Sequence, residues 1–189
     1  MKPGGTYPVV PGIDLGCGRT PRPGAIGVDT IPLPGVRLLA RLGGGHLPFR
    51  DESAATVYAL NILEHLDDLP AAMAEVWRVL VPGGRCQIEV PYFASPSAHA
   101  DPTHRRAFTY TTFEHFAAPA AYGWQSNRHT WFGHSRFRVD ARRLRFGRAH
   151  RALGIEALAN RWPAVYENLF AYWFPARALD VLLSKTAVS

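Results

Sequence analysis

The chain has 189 residues, of which 47% are hydrophobic and 12% aromatic, a composition that fits one globular domain with a substantial core and argues against disorder. No apolar run approaches the roughly 20 residues of a membrane span, so we expect no membrane segment and a cytoplasmic location. The formal net charge of +6 suits an anionic partner, but an arginine-rich composition explains it too, so nucleic acid binding is open and not favoured.

Four short apolar runs in the first third of the chain predict strands, at 12–15, 25–28, 36–40 and 56–61. The link between the first two is too short for the usual crossover of ten or more residues with its helix. We therefore expect an extended or single-turn connection over 19–24. That side of the sheet would then be covered by the C-terminal half of the chain or by a partner.

The clearest helix follows these runs. Asp67 and Asp68 supply caps, Pro70 lies in the first turn, and VPGG at 81–84 ends the helix. Its apolar face consists of Leu69, Met73, Val76, Trp77 and Leu80. Residues 85–90 then alternate between apolar and polar side chains, which predicts a strand with one poorly covered face.

The second half of the chain is less regular. Residues 91–135 are aromatic and histidine-rich, with a short helix expected near 111–117. Residues 136–146 predict a strand with a bulge near Arg142 and Arg143, because the apolar phase slips by one residue. A helix from about Pro163 carries an apolar stripe over 165–174, which predicts a core or dimer surface. A last strand carries Leu179, Val181 and Leu183.

Two glycine motifs lie at predicted strand ends. Asp14-Leu15-Gly16-Cys17-Gly18 follows the first strand, where glycines let the backbone approach a ligand closely. Gly27-Val28-Asp29 ends the second strand with an acid that can accept hydrogen bonds from ribose hydroxyls. The pair predicts a nucleotide-type ligand.

These motifs, with the later "LPFRDES", "NILEHLDD", "VLVPGG" and "DPTHRRAFT", occur in an order that resembles class I S-adenosylmethionine-dependent methyltransferases. The nearest likeness is to a compact bacterial group of the type 11 kind, over about 13–116. The resemblance implies a reduced Rossmann-like α/β fold, a mostly parallel sheet with an antiparallel last strand and few helices. It implies an enzyme that transfers a methyl group from S-adenosylmethionine to an O, N or C nucleophile, with a small-molecule acceptor favoured.

The resemblance also implies a single domain over 1–189. Residues 1–91 would form the cofactor-binding half, 92–135 a lid or substrate insertion, and 136–189 a C-terminal strand-helix-strand unit. The implied cofactor contacts are Asp14, Gly16, Cys17, Gly18, Asp29, Thr30, Ile31, Leu47, Asn61, Ile62 and His65. Many relatives carry an acid at the end of the third strand, where this chain has Arg41, which leaves the adenine contact undefined.

The segment SAHADPTHRRAFTY allows three interpretations. It is a substrate wall in which His104 or Asp101 accepts a proton, a metal site built on H-x-D-x-x-H, or a structural turn. In the metal-site interpretation, the downstream histidines at 115, 129 and 134 are further candidate ligands. We assign no metal on the sequence and name His104, Asp101 and Tyr92 as candidate catalytic residues, although Tyr92 fits a packed aromatic equally well.

Two rival functions remain. An RNA methyltransferase would need its basic residues clustered at the pocket mouth, whereas the run 136–151 fits the exposed face of a strand better. A non-catalytic binding or assembly protein that retains the cofactor fold is the other rival. A homodimer is also open, because missing helices would leave sheet surface to be covered.

Overall fold

A seven-stranded sheet organises the protein. The computed structural model describes residues 8–43, 45–117 and 137–186. The strand order is β3-β2-β1-β4-β5-β7-β6, and β7 runs antiparallel to both of its neighbours. The strands are β1 (Gly12–Leu15), β2 (Ala25–Asp29), β3 (Leu38–Leu39), β4 (Ala54–Leu60), β5 (Leu80–Pro91), β6 (Phe137–Arg145) and β7 (Ala178–Lys185). The predicted mostly parallel sheet with an antiparallel last strand is confirmed.

Helices are short apart from one. They are α1 (Leu69–Val79), α2 (Ser97–Ala100), α3 (Arg148–Ala152), α4 (Ile155–Arg161) and α5 (Pro163–Val165), with 3₁₀ turns at Leu63–His65 and Thr112–Phe116 and a π-helical turn at Tyr166–Phe170. The second 3₁₀ turn confirms the short helix expected near 111–117. Within the described ranges, no helix has the length and apolarity needed to cross a membrane.

Helix α1 forms where its capping signals predict it. The Asp68 carboxylate accepts a hydrogen bond from the Ala71 N–H at 2.8 Å, which satisfies one of the free donors of the first turn. Met73 and Val76 are fully buried against the sheet. The chain then enters β5 at Leu80, earlier than the predicted start at 85.

The connection between β1 and β2 contains no helix, and all of its residues are described. It lies tightly against β2, since a Cβ on Gly27 would stand 2.8 Å from Cys17 Sγ and 3.1 Å from Pro21 Cβ. The Arg22 N–H donates to Asp14 Oδ2 at 2.7 Å and ties the turn back to β1. The predicted turn-like link is therefore confirmed, and Gly27 is needed because any side chain there would push the link away.

One face of β5 is open, as its alternation predicts. Cys86 and Ile88 are buried on the α1 side, whereas Arg85 and Gln87 are exposed on the other. On this face β5 therefore presents polar side chains to solvent, and the homodimer stays a prediction.

The bulge in β6 lies closer to the start of the strand than predicted. The β6–β7 register shifts between Val139 and Ala141, so Asp140 is the extra residue. The prediction was displaced because Arg142 points inward, where its guanidinium pairs with the buried carboxylate of Glu114. A pattern that treats every arginine as outward-facing places the phase slip too late.

Two elements after β6 were missed, α3 and α4. Helix α4 covers the outer edge of β6, because the Asn160 amide donates to Leu144 O at 2.9 Å and accepts from Leu144 N at 2.8 Å. The Glu156 carboxylate adds a bond from the Phe146 N–H at 3.0 Å. The edge strand is thereby protected from pairing with another chain.

The expectation that the apolar stripe over 165–174 forms core is wrong. Leu169 is 64% exposed and Trp173 79% exposed, whereas Tyr166 on the opposite side of the turn is buried. The Tyr166 hydroxyl donates to Phe174 O at 2.9 Å, which orients the turn with its apolar side chains outward. The dimer-surface alternative for this stripe stays a prediction.

Candidate active site

Two hollows lie at the carboxyl ends of the parallel strands. The first, here called the β1–β2 cleft, has a volume of about 410 Å³ and is lined from the ends of β1 and β2, residues 40–43 and the segment after β4. The second, the β4–β5 cavity, has a volume of about 1130 Å³ and is lined by residues including Asn61, Glu64, Glu89, Asp101 and His104. His65 lines both, so the two hollows adjoin at this side chain.

Gly16 closes the floor of the β1–β2 cleft. Its φ is +63°, and an added Cβ would stand 2.6 Å from Ile62 Cδ1. Both facts exclude a side chain, because an L-residue is strained in this conformation and Ile62 would be forced aside. The backbone of β1 thus comes within contact distance of the segment after β4.

The Asp29 carboxylate is held by backbone donors. Oδ2 accepts from the Gly18 N–H at 2.9 Å, and Oδ1 accepts from the N–H groups of Thr30 at 2.7 Å and Ile31 at 3.1 Å. A carboxylate oxygen has two acceptor positions, so Oδ2 retains one for a ligand hydroxyl. Beside the bare backbone at Gly16, this arrangement fits the ribose of a nucleoside.

The predicted cofactor residues divide into groups. Those that line the β1–β2 cleft are Gly16, Asp29, Thr30, Ile62 and His65. Asp14 lies in β1, and Cys17 and Gly18 belong to the turn that follows it; Ile31 lies at the exposed rim, and Asn61 faces the β4–β5 cavity. Leu47 is a core residue, 2% exposed, with its N–H bonded to Glu75 Oε2 at 2.8 Å, so the structure gives it no place at the cleft.

Several lining residues escaped the sequence reasoning, among them Leu42, Gly43 and Leu66. Residues 42 and 43 follow a strand of only two residues, so no periodic pattern marks them. Asp67 was identified only as a helix cap, yet it also lines the cleft. Its carboxylate lies 3.7 Å from the Arg41 guanidinium, so the acid at this rim comes from the segment after β4 instead of the end of β3.

Asn61 occupies a strained position between the two hollows. Its φ of +53° is left-handed, which asparagine tolerates better than most side chains. The Asn61 N–H donates to Glu89 O at 2.8 Å, and Nδ2 donates to Glu89 Oε1 at 3.3 Å. Such outliers concentrate at functional sites, where the surrounding structure holds them.

A hydrogen-bond chain fixes the tautomers of two histidines in the β4–β5 cavity. The Thr103 hydroxyl donates to Asp101 Oδ1 at 2.6 Å, so at its other contact, of 2.8 Å, it must accept from the Nδ1–H of His65. The Nδ1–H of His104 donates to Ala98 O at 3.1 Å, since a carbonyl can only accept. In the neutral form of each ring, the lone pair therefore lies on Nε2. Hydrogen bonds from Thr103 lower the pKa of Asp101.

Glu64 was not singled out from the sequence, although it stands beside His65 in the "NILEHL" run. Glu64 is 1% exposed, and its Oε2 has no hydrogen-bond partner among the described residues. Burial raises the pKa of this carboxyl. The cavity thus holds a buried acid next to two imidazoles, whose ring centres lie 4.7 Å apart.

Tyr92 lies in the core instead of the substrate wall. It is 0% exposed, and its hydroxyl donates to Glu167 Oε1 at 3.0 Å. Burial, with the adjacent Glu167 charge, raises the pKa of this phenol. The structure therefore favours the packed-aromatic alternative for Tyr92.

The Tyr92→Phe variant should keep its affinity for the cofactor and lose about 1 kcal/mol of unfolding free energy, because one buried hydrogen bond disappears while the ring packing remains. Calorimetric titration and urea unfolding measure the two quantities. A tenfold loss of cofactor affinity without a change in stability would contradict this structural role and support a role for Tyr92 in the active site.

Comparison with known proteins places this geometry in context. Residues 35–88 match the family model described as "Methyltransferase domain". This match covers β3, β4, α1 and most of β5. No curated protein sequence matches the chain.

Solved structures share the whole fold at low identity. A SAM-dependent methyltransferase from Archaeoglobus fulgidus is 15% identical, with a TM-score of 0.57 over 94% of this chain and 86% of that one. An S-adenosylmethionine-dependent methyltransferase from Mesorhizobium loti is 16% identical, with a TM-score of 0.53 over 94% and 92%. The [4+2]-cyclase SpnF is 18% identical, with a TM-score of 0.58 over 97% and 77%.

The cyclase shows that this fold also supports other chemistry, so the likeness fixes the architecture and leaves the reaction to the site. Two of these neighbours are named as S-adenosylmethionine-dependent methyltransferases, and the geometry at Gly16 and Asp29 fits the nucleoside part of such a ligand. The chain thus combines a sequence match to a methyltransferase-domain family model over residues 35–88 with a fold that it shares with solved S-adenosylmethionine-dependent methyltransferases.

Proposed function

We propose that this protein is an S-adenosylmethionine-dependent methyltransferase that modifies a small molecule bound in the β4–β5 cavity. The observation that carries the proposal is the shared wall at His65, since a cleft that fits a nucleoside adjoins a separate cavity large enough for an acceptor. When bound, S-adenosylmethionine supplies an electrophilic methyl group. In-line transfer needs mainly alignment and exclusion of water, so few essential side chains are expected.

The protein's own contribution begins with orientation. Gly16 and Asp29 would hold the nucleoside, the latter through the free acceptor position on Oδ2. Asn61 and His65 lie between cleft and cavity, where the acceptor and the methyl group have to meet. The hydrogen bonds of Asn61 to Glu89 hold its left-handed backbone in the turn that separates the two hollows.

His104 is the proposed proton acceptor for a hydroxyl or amine substrate. Its Nδ1–H bond to Ala98 O leaves the Nε2 lone pair available on a side chain that lines the β4–β5 cavity. Asp101 Oδ2 lies 4.0 Å from Nε2, close enough to stabilise the imidazolium that forms. Asp101 is the weaker base of the two, because Thr103 lowers its pKa.

A small molecule is favoured over RNA by the arrangement of the arginines. In β6, Arg138 pairs with Asp140, Arg142 with Glu114 and Arg143 with Glu156. A phosphate backbone is recognised by cations that are free to replace its counterions. These three arginines of the basic run are instead neutralised within the protein, whereas Arg151 lines the β4–β5 cavity; Arg136 lies outside the described residues.

Calorimetric titration with S-adenosylmethionine and S-adenosylhomocysteine tests the proposal. We expect binding of both ligands, with ATP as a control that should not bind comparably. Absence of binding by either at millimolar concentration would remove the enzyme assignment, and the non-catalytic alternative would replace it. The titration is run with EDTA present, so that its outcome does not depend on metal ions.

A further inference from the structure

We propose that Glu64, His65 and His104 form a binding site for one divalent transition-metal ion in the wall of the β4–β5 cavity. Each residue offers one ligand atom, and the three atoms lie within 4.8 Å of one another. Ligand atoms about 2.1 Å from a shared ion stand roughly 3–4 Å apart. Side-chain rotations that move the ligand atoms by about 1 Å would therefore bring them to coordinating distance.

The two histidines are already arranged as metal ligands. Metal-bound imidazoles almost always donate their other ring N–H to a polar partner, which fixes both tautomer and orientation. His65 donates Nδ1–H to Thr103 Oγ1, and His104 donates Nδ1–H to Ala98 O. Each ring therefore presents the Nε2 lone pair as its coordinating position.

Glu64 supplies an independent indication of a cation site. Its Oε2 is buried and has no hydrogen-bond partner among the described residues, although buried carboxylate oxygens are nearly always satisfied. The same residue lines the cavity beside the two imidazoles. A metal ion at this point would satisfy the oxygen and offset the cost of burying the charge.

The donor set selects the kind of ion. Two neutral imidazoles and one carboxylate suit Zn²⁺, Co²⁺, Mn²⁺ or Fe²⁺, whereas Mg²⁺ and Ca²⁺ prefer oxygen ligands. Three protein ligands leave coordination positions open toward the cavity. We infer that these positions take an oxygen of the acceptor, a hydroxyl or a carbonyl; this step alone rests on the proposed function.

A bound ion changes the role of His104. The Nε2 lone pair cannot coordinate a metal and accept a proton at once. With the ion in place, His104 acts as a ligand, and the ion lowers the pKa of a bound hydroxyl so that its proton is released more readily. Asp101 Oδ2, 4.0 Å from Nε2, is the adjacent carboxylate that can receive this proton.

The ligand set differs from the one that the sequence pattern suggested. In H-x-D-x-x-H, the ring of His99 bonds to Phe93 O at 2.9 Å through Nε2, and Asp101 Oδ1 accepts from Thr103. Only His104 of that motif takes part. The other two ligands come from the 3₁₀ turn after β4.

Equilibrium dialysis of the metal-free full chain against Zn²⁺, with metal analysis of the protein, measures the site directly. Titration with Co²⁺ adds a visible absorption spectrum that reports on nitrogen coordination. We expect one equivalent of either ion to bind. His104→Ala and Glu64→Gln should each lower the affinity at least tenfold. Thr103→Ala removes the hydrogen-bond support of His65, together with one hydrogen bond to Asp101, and should lower it about tenfold.

His46→Ala is the matched control, because this exposed imidazole lies outside the cluster and should leave metal affinity unchanged. Circular dichroism confirms that each variant is folded, and Glu64→Gln keeps the side-chain shape if His104→Ala does not fold. The proposal is overturned if the wild-type chain takes up no ion at a metal concentration of about 100 micromolar. Such a concentration is well above the dissociation constants of most transition-metal sites of this kind. Uptake that is equal in the wild type, His104→Ala, Glu64→Gln and Thr103→Ala overturns it as well.

Discussion

The Asp29→Ala variant should bind S-adenosylmethionine about 5- to 150-fold more weakly than the wild type, a loss of about 1–3 kcal/mol. The ligand hydroxyl loses the free acceptor position on Oδ2, and the N–H of Gly18 loses its partner in the same step. The turn that carries Gly16 and Gly18 is then less firmly held. Calorimetric titration at constant salt measures the change in affinity.

Asp68→Ala is a suitable control for this experiment. Asp68 also accepts a hydrogen bond from a backbone N–H, that of Ala71, and its loss costs about 1 kcal/mol of stability. It caps α1 and does not line the β1–β2 cleft in the described structure. Equal cofactor affinity in Asp29→Ala and the wild type would show that the ribose lies elsewhere.

The Glu75→Ala variant should lose about 3 kcal/mol of unfolding free energy, the largest single effect on stability that we expect. Glu75 is 9% exposed and joins α1 to the loop before β4. Its carboxylate accepts from Arg78 Nε and Nη2 at 2.8 Å, from Leu47 N at 2.8 Å and from His46 Nδ1 at 2.9 Å. Removal leaves the Arg78 guanidinium half-paired and the Leu47 N–H buried without its acceptor.

The same network makes stability depend on acid. Burial raises the pKa of Glu75, but the hydrogen bonds from Arg78, Leu47 and His46 outweigh it and lower the pKa to about 2 from an ordinary 4.5. Because the folded-state pKa is depressed, the contribution is present above about pH 4.5 and is lost as the pH falls toward 2. The difference corresponds to about 3 kcal/mol at neutral pH.

Urea unfolding of the wild type and Glu75→Ala between pH 7 and pH 2 measures both effects. The two proteins should differ most at neutral pH and converge in acid. Asp51→Ala is the matched control, because Asp51 pairs with the same arginine through a side chain that is 76% exposed and should matter little. A constant difference between wild type and Glu75→Ala across this pH range would contradict the assigned protonation.

Local chemistry made much of the architecture predictable. The strand positions follow from runs of apolar residues, and α1 follows from the cap at Asp68 and one apolar face. The helix-free link after β1 follows from chain length alone, since too few residues separate the two strands. The cofactor turn was predictable from local sequence as well, because Gly16 and Asp29 act within a few residues of the ends of their own strands.

The residues that meet in the β4–β5 cavity could be identified only from the folded chain. Glu64 and His104 stand 40 positions apart, and no local pattern relates them until the turn after β4 meets the segment after α2. Tyr92 and Leu47 had residue types suited to a site, but packing placed both in the core. Trp173 had the residue type of a core, yet the turn at Tyr166–Phe170 left it outside.

The division has a physical cause. Capping hydrogen bonds, backbone φ preferences and apolar periodicity depend on residues close together in the sequence. Strands, caps and glycine turns can therefore be predicted from short segments such as the one from Gly12 to Asp29. Which side of a turn is buried, and which acids and imidazoles share a cavity, depends on contacts between segments far apart in the chain. For this protein the cofactor half therefore belongs to the first class of information, and the acceptor half, with the proposed metal site, to the second.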